Sequence, residues 1–140
     1  MLPRDLHYLR ARARKKGDRS VGLIGATLGS ALDIKPILRG WQGSTEPVAK
    51  MRGFVHGAEA LFEHVAARIR AGLMVPTVCL SYGGALEELR TLPGYDLIPE
   101  ACDASGIELL ESTMSITGMV NVGEGAITVG YACEQDDADF

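Results

Sequence analysis

Ser115-Ile-Thr-Gly-Met-Val-Asn-Val-Gly-Glu-Gly-Ala-Ile-Thr-Val129 sets two apolar segments on either side of a polar, glycine-punctuated centre. Gly118, Gly123 and Gly125 permit φ > 0 or close approach of another backbone, and Asn121 among them carries an amide that both donates and accepts. Two readings stand: a glycine-containing connection into a last strand, or the place where binding chemistry converges. The pattern continues to Cys133, with Ile127, Val129, Tyr131 and Cys133 alternating against Thr128, Gly130 and Ala132, the period of a half-buried strand.

Upstream of this stretch, Ile107 to Ser112 reads as a strand, and Tyr95 to Ser105 as irregular or a short further element. Thr77 to Tyr82 is a short buried strand, from which Gly83-Gly84 turns into a helix over Ala85 to Thr91 that stops at Pro93-Gly94. Free N–H groups at that helix start suit an anion, although Glu87 and Glu88 already complement the dipole. The clearest helix runs from Gly57 to Arg70, where Ala58, Leu61, Phe62, Val65 and Ile69 form one apolar stripe to pack on a sheet. His56 and His64 read as surface or capping residues, and neither has a second metal ligand at i+4.

Ile34 to Arg39 and Pro47 to Met51 read as antiparallel strands flanking the turn-rich Gly40 to Thr45, with Pro36 and Pro47 suiting a strand start or a sheet edge rather than a central strand. Trp41 near the loop tip either meets a partner or folds back over the hairpin. Residues 20–32 are apolar with small residues at Gly22, Gly25, Ala26 and Gly29, the make-up of a buried helix. No Lys-Ser or Lys-Thr pair follows them, so they do not form a phosphate loop. Leu2, Leu6, Leu9 and Ala13 predict a helix over Pro3 to Lys16, closed by Gly17. The whole predicts an α/β (α+β) fold, a mixed, largely antiparallel sheet with helices packed on it, as one domain over residues 1–133 and an acidic tail over 134–140.

The 140 residues are 46% hydrophobic and 23% charged, which suits one globular domain with a proper core. The net charge of −4 conceals an asymmetry, +7 over residues 1–70 and −11 over residues 71–140. Seven of the 14 basic residues precede position 20, but only Tyr8 interleaves with them, so they read as a solvated basic helix or a dock for an acidic partner rather than a nucleic-acid stripe. No apolar run is long enough to span a bilayer and the basic start has no signal core, so the expected compartment is cytoplasmic. Cys79, Cys102 and Cys133 read as small buried hydrophobes. No nucleophile and base, metal cluster or cofactor motif emerges, so neither an enzyme nor a cofactor is expected.

Two stretches together resemble the C-terminal domain of the DegV family, whose members bind long-chain fatty acids. The first is Asp5-Leu-His-Tyr-Leu-Arg10 followed, past a long basic insert, by Leu28-Gly-Ser-Ala-Leu-Asp-Ile-Lys-Pro-Ile-Leu38. In the family an Asp-Leu-x-Tyr-Leu element, a Gly-Gly-Arg turn and a Leu-Asn-Ile-Lys-Pro-Ile-Leu segment run in that order; here Gly17-Asp18-Arg19 stands for the turn and Asp33 for the Asn. The second, Asn121-Val-Gly-Glu-Gly-Ala126, is similar to the family's closing Gly-x-His-x-Gly-Pro-Gly-Ala. Between them Pro47-Val-Ala-Lys-Met-Arg-Gly53 resembles Val-x-Lys-x-Arg-Gly.

The resemblance implies a two-domain carrier in which a fatty acid lies between an N-terminal and a C-terminal domain, this chain supplying the second. It implies a carboxylate near Asn121, Gly123 and Gly125, and an acyl wall for which Leu23, Ile24, Leu28, Ile34 and Ile37 are candidates, although for each of the five taken alone ordinary core is the favoured account. Implied partners are a separate fatty acid kinase, to which the carrier presents the acid, and the missing N-terminal domain. Asn121 replaces the family's His and Glu124 its Pro; loss of a charge-assisted bond would weaken head-group binding by about 1 kcal/mol. The rival expectation is an interaction or self-association module, a homo-oligomer through an uncovered apolar face.

Overall fold

In the computed structural model, which describes residues 1–6, 8, 33–134 and 140, the chain reverses at Gln42-Gly43 with φ of 47° and 80°. Positive φ at both turn residues gives the twist a two-residue hairpin needs. Strand β1 (Ile34–Trp41) therefore pairs antiparallel with β2 (Ser44–Arg52) up to Trp41 opposite Ser44. Pro36 and Pro47 both lie within these strands; a two-stranded ribbon leaves one side of each strand unpaired, where a missing donor costs nothing.

Helix α1 (Phe54–Ala71) follows, longer at both ends than the apolar stripe requires, and that stripe of Ala58, Leu61, Phe62, Val65 and Ile69 is buried throughout. Each large side chain in it contributes about 1.5–3 kcal/mol by leaving water. Then come β3 (Thr77–Tyr82), α2 (Leu86–Arg90), α3 (Leu97–Ser105), β4 (Glu108–Thr113), α4 (Ile116–Val122) and β5 (Ile127–Gly130). Strand β3 is central in a three-stranded sheet, parallel to β4 across the α2–α3 crossover and antiparallel to β5. The α/β class and the mixed pairing hold. The strands divide between two sheets, with α1 packed on the hairpin and against α3, where Phe62 meets Tyr95 edge-on at 6.2 Å.

Several local expectations are corrected. Leu2 sits in a β-bridge with Ile127 rather than on a helical stripe. Leu6 and Tyr8 are helical, while residue 7 and residues 9–32, with the rest of the first expected helix and all of the second, lie outside the described residues. The last strand stops at Gly130 rather than Cys133, its four residues pairing with Cys79 to Tyr82. Residues 97–105 are regular helix despite Pro99, which falls in the first turn where its missing N–H is not needed. Cys102 is buried, and burial, helped by Asp103, pushes its thiol pKa up. Cys79 is exposed because Val78, Leu80 and Tyr82 take the inward positions of β3, and Cys133 is half-buried.

The crossover is pinned to β4 by a charged cluster. Arg90 donates to Glu111 Oε2 at 2.7 Å, and the Tyr95 hydroxyl donates to Glu111 Oε1 at 2.6 Å. Burial alone would raise the Glu111 carboxyl, but these two hydrogen bonds and the Arg90 charge outweigh it and hold its pKa below the usual value. A carboxyl depressed in the folded state stabilises above its unfolded pKa, about 4.3, and loses that contribution as pH falls through the folded value. Glu111→Gln is therefore expected to lower stability at pH 7 and to converge on wild type as pH falls through that lowered folded value. Urea denaturation across that range checks it; a gap independent of pH would show that the cluster's charge contributes nothing.

Candidate functional site: the glycine turn after α4

Ile116, Thr117, Gly118, Val120, Asn121 and Val122 are weak helix formers, so α4 depends on its ends. At the start Ser115 Oγ accepts the Gly118 N–H at 3.1 Å; at the finish Gly123, with φ 94°, donates its N–H to the Met119 carbonyl at 2.8 Å. The glycine connection expected from sequence thus contains a helix, and Gly118 lies inside it without positive φ. Beyond Gly123 the chain doubles over the end of β3. Gly125 donates to the Gly83 carbonyl at 2.8 Å and Gly83 to the Ala126 carbonyl at 2.9 Å.

Gly125 has φ 71°, and a Cβ there would stand 2.5 Å from Arg4 Cδ. The Arg4 guanidinium lies 5.1 Å above the Phe54 ring and donates to the Tyr82 hydroxyl at 3.4 Å, which in turn donates to Glu88 Oε2 at 3.4 Å. Burial raises the Tyr82 phenol pKa, Arg4 opposing and Glu88 reinforcing, so the hydroxyl stays protonated at neutral pH. Tyr8 stands against Gly123 and hydrogen-bonds the Val120 carbonyl. Arg4, Tyr8, Tyr82, Glu88 and Gly125 line a cavity of about 860 Å³ whose wall includes Met119 and whose edge carries the exposed Ile116 and Val120. Among the described residues one cation, Arg4, and three carboxylates, Asp5, Glu88 and Glu124, border it.

The residues singled out from sequence do not all meet here. Gly125 is on the wall and Gly123 beside it, but Asn121 Nδ2 donates to the Thr117 carbonyl of its own helix at 2.8 Å and Asn121 is not part of the lining. Ile37 lines a second cavity of about 370 Å³ between the hairpin and α1. Ile34 packs with Met1, Leu6 and Leu38; Leu23, Ile24 and Leu28 lie outside the described residues. The cavities occupy opposite ends of the Leu2–Ile127 bridge, Met1 and Val129 lining one, Arg4 and Gly125 the other. Sequence reasoning missed Arg4 and Tyr82, whose contact spans 78 positions and leaves no local signal. Among the described residues no group of three or more His, Cys, Asp or Glu could hold a metal, and no helix is long and apolar enough to cross a membrane.

Gly125→Ala is expected to cost about 1–3 kcal/mol, from strained φ and displacement of Arg4. Gly130→Ala, with open space at its Cβ and ordinary φ, should stay within about 0.5 kcal/mol of wild type. Equal denaturation midpoints for the two variants would remove the constraint argued for Gly125.

A family model described as an uncharacterised protein of the DegV family matches residues 1–134. A DegV domain-containing protein of Xanthomonas axonopodis pv. citri is 66% identical over 134 residues, and one of Xanthomonas campestris pv. campestris 64%. Each match covers 96% of this chain but 43% of the relative, so the chain spans less than half their length. Among solved structures, a DegV family protein of Ruminococcus gnavus refined with vaccenic acid matches with TM-score 0.65 at 22% identity. DegV of Bacillus subtilis, described as a fatty acid binding protein, matches with TM-score 0.65 at 21% identity. Both cover 91% of this chain and 42% of the solved one, and at that identity they establish the fold alone. With the family model matched from residue 1 to residue 134, this chain belongs to the DegV family.

Proposed function

We propose that this chain is the C-terminal, lipid-binding portion of a DegV-type carrier, holding a long-chain fatty acid with its carboxylate at the glycine turn after α4. The observation that carries this reading is the cavity of about 860 Å³ in which Arg4 and the Tyr82 hydroxyl lie beside Gly125, next to apolar Met119, Val120 and Ile116. Vaccenic acid in the Ruminococcus gnavus structure and the description of the Bacillus subtilis protein as fatty acid binding support it. Arg4 can donate to a carboxylate with charge assistance and Tyr82 without. Asn121, with one amide N–H on the Thr117 carbonyl, lies outside the lining and reaches a carboxylate there only by a change of rotamer. Asp5, Glu88 and Glu124 oppose a bound anion, so affinity depends on Arg4 and is held down by Glu124.

The acyl wall at this cavity is Met119, Val120 and Ile116, with Leu23, Ile24 and Leu28 as further candidates; Ile34 and Ile37 lie away from it. Residues 1–133 act as one binding unit and 134–140 as an acidic tail. The role is carriage rather than catalysis: a further N-terminal domain covers the acid, whose carboxyl is presented to a separate ATP-dependent kinase.

Mass spectrometry of the purified chain, alone and joined to the N-terminal portion of a Xanthomonas relative, should find C14 to C18 acids; lipid-free protein in both forms would end the reading. Arg4→Gln should weaken palmitate binding about tenfold, the worth of one charge-assisted hydrogen bond. Glu124→Gln and Asn121→His should strengthen it.

A second reading, self-association, is favoured by Ile116, 78% exposed, beside exposed Val120 on the same short helix. Light scattering separates the two: a dimer that Ile116→Asp converts to monomer supports association, whereas a strict monomer that carries lipid excludes it.

A further inference from the structure

Strand β4 is one edge of the three-stranded sheet, and among the described residues no strand is paired to its outer side. The opposite edge of that sheet is closed, since Leu2 bridges to Ile127 of β5. Glu108 donates its N–H to the Pro76 carbonyl and Met114 to the Tyr82 carbonyl, so the even-numbered residues of β4 bond to the β3 side. In a parallel ladder the intervening residues turn their N–H and C=O groups the other way. Leu109, Glu111 and Thr113 therefore present donors and acceptors along the open edge.

Open edges are ordinarily guarded by proline, lysine or a bulge. The hairpin has all three, with Lys35 and Pro36 in β1, Pro47 and Lys50 in β2 and an irregularity of register between Ile37 and Leu38. Strand β4, Glu-Leu-Leu-Glu-Ser-Thr, has neither proline nor lysine and keeps an unbroken register with β3. Its inward charge, Glu111, is held by Arg90 and Tyr95. Its outward face carries Leu110, 47% exposed, beside the exposed Cys79 of β3.

We propose that β4 is a dimer interface, pairing antiparallel with β4 of a second copy of this chain to make one six-stranded sheet. A two-fold axis admits only registers in which edge-facing residues oppose one another. The axis positions that pair most of the strand are Leu110 and Glu111. An axis at Glu111 sets that carboxylate against its own counterpart, which disfavours it. An axis at Leu110 sets the two leucines against each other, Leu109 opposite Glu111 and Glu108 opposite Ser112, so no carboxylate of the strand faces another. Main-chain hydrogen bonds then join each Leu109 to the opposing Glu111, and the Leu110 pair is of the non-hydrogen-bonded kind, in which side chains stand closest. The contact is made at the main chain of β4 rather than by Ile116 and Val120 of α4, and it uses no residue that lines the glycine-turn cavity. The −11 charge of residues 71–140 opposes the approach of two such halves, so salt tightens this dimer; a contact of basic half with acidic half would loosen in salt.

Sedimentation equilibrium of the full chain should show a mass that rises with concentration from 14.9 kDa toward twice that value, more readily in high salt than in low. Leu110→Lys, which sets two cations against each other at the axis, should remain monomeric. To read the register, Cys79→Ser and Cys133→Ser first remove the competing exposed and half-buried thiols, Cys79 being the β3 neighbour of position 110. In that background Leu110→Cys should oxidise to a disulfide-linked dimer, because Cα atoms of such a pair stand about 4.5 Å apart, within disulfide range. Ser112→Cys alone should stay reduced, and mixed with Glu108→Cys it should cross-link. Circular dichroism confirms that each variant is folded. A wild type that stays monomeric, a dimer that survives Leu110→Lys or loosens in salt, or Ser112→Cys cross-linking as readily as Leu110→Cys would each overturn the proposal.

Discussion

Two residues at the start of the chain hold the two sheets together. Leu2 donates to the Ile127 carbonyl at 2.8 Å and accepts from the Ile127 N–H at 3.0 Å, while the Met1 carbonyl accepts the Leu38 N–H at 2.8 Å. One short extended segment is thereby bonded to the last strand on one side and to the hairpin on the other. Its side chain is fully buried, and α1 closes on it so tightly that a Cβ at Gly57 would stand 3.0 Å from Leu2 Cδ1. The two-stranded hairpin is at best marginally stable alone in water. The stitch lets both share the apolar face of α1, so the core of one serves the other.

Much of this was legible because it is periodic. The stripe from Ala58 to Ile69, the inward alternation of Val78, Leu80 and Tyr82 and a turn somewhere in Gly40 to Thr45 each show in neighbouring residues, although the structure narrows that turn to Gln42-Gly43 and puts Trp41 in β1. Where local preference and tertiary context disagree, the sequence misleads. Pro93, Gly94 and Pro99 look like breakers, yet the last of them is accommodated in the first turn of α3. The residues of α4 disfavour helix, and a serine cap and a positive-φ glycine impose it. The site was half legible: its glycines are marked by type, but the arginine and tyrosine beside them come from distant segments joined only by the fold.

The same geometry changes the chemistry that the motif suggests. Asn121, which the motif resemblance sets in place of a histidine, donates an amide N–H to the Thr117 carbonyl of its own helix. Positive charge reaches the glycine turn from the other end of the chain, through Arg4 stacked over Phe54. A cation held against a ring beside three carboxylates is tuned by its neighbours, because each exposed charge is softened by solvent and none dominates alone.

The position of β5 has a consequence for how the domain is made. Strand β3 can pair with β4 as soon as the crossover is formed, but its other edge, like Leu2, lacks a partner until residues 127–130 join. During synthesis that edge of the sheet therefore stays bare while every preceding element is already available. A bare strand edge invites pairing with a neighbouring chain, and the four-residue length of β5 keeps the unprotected segment short. Closure joins residues nearly the whole chain apart, a contact with a large loop-entropy cost, so β5 governs when the fold becomes cooperative as well as where the sheet ends.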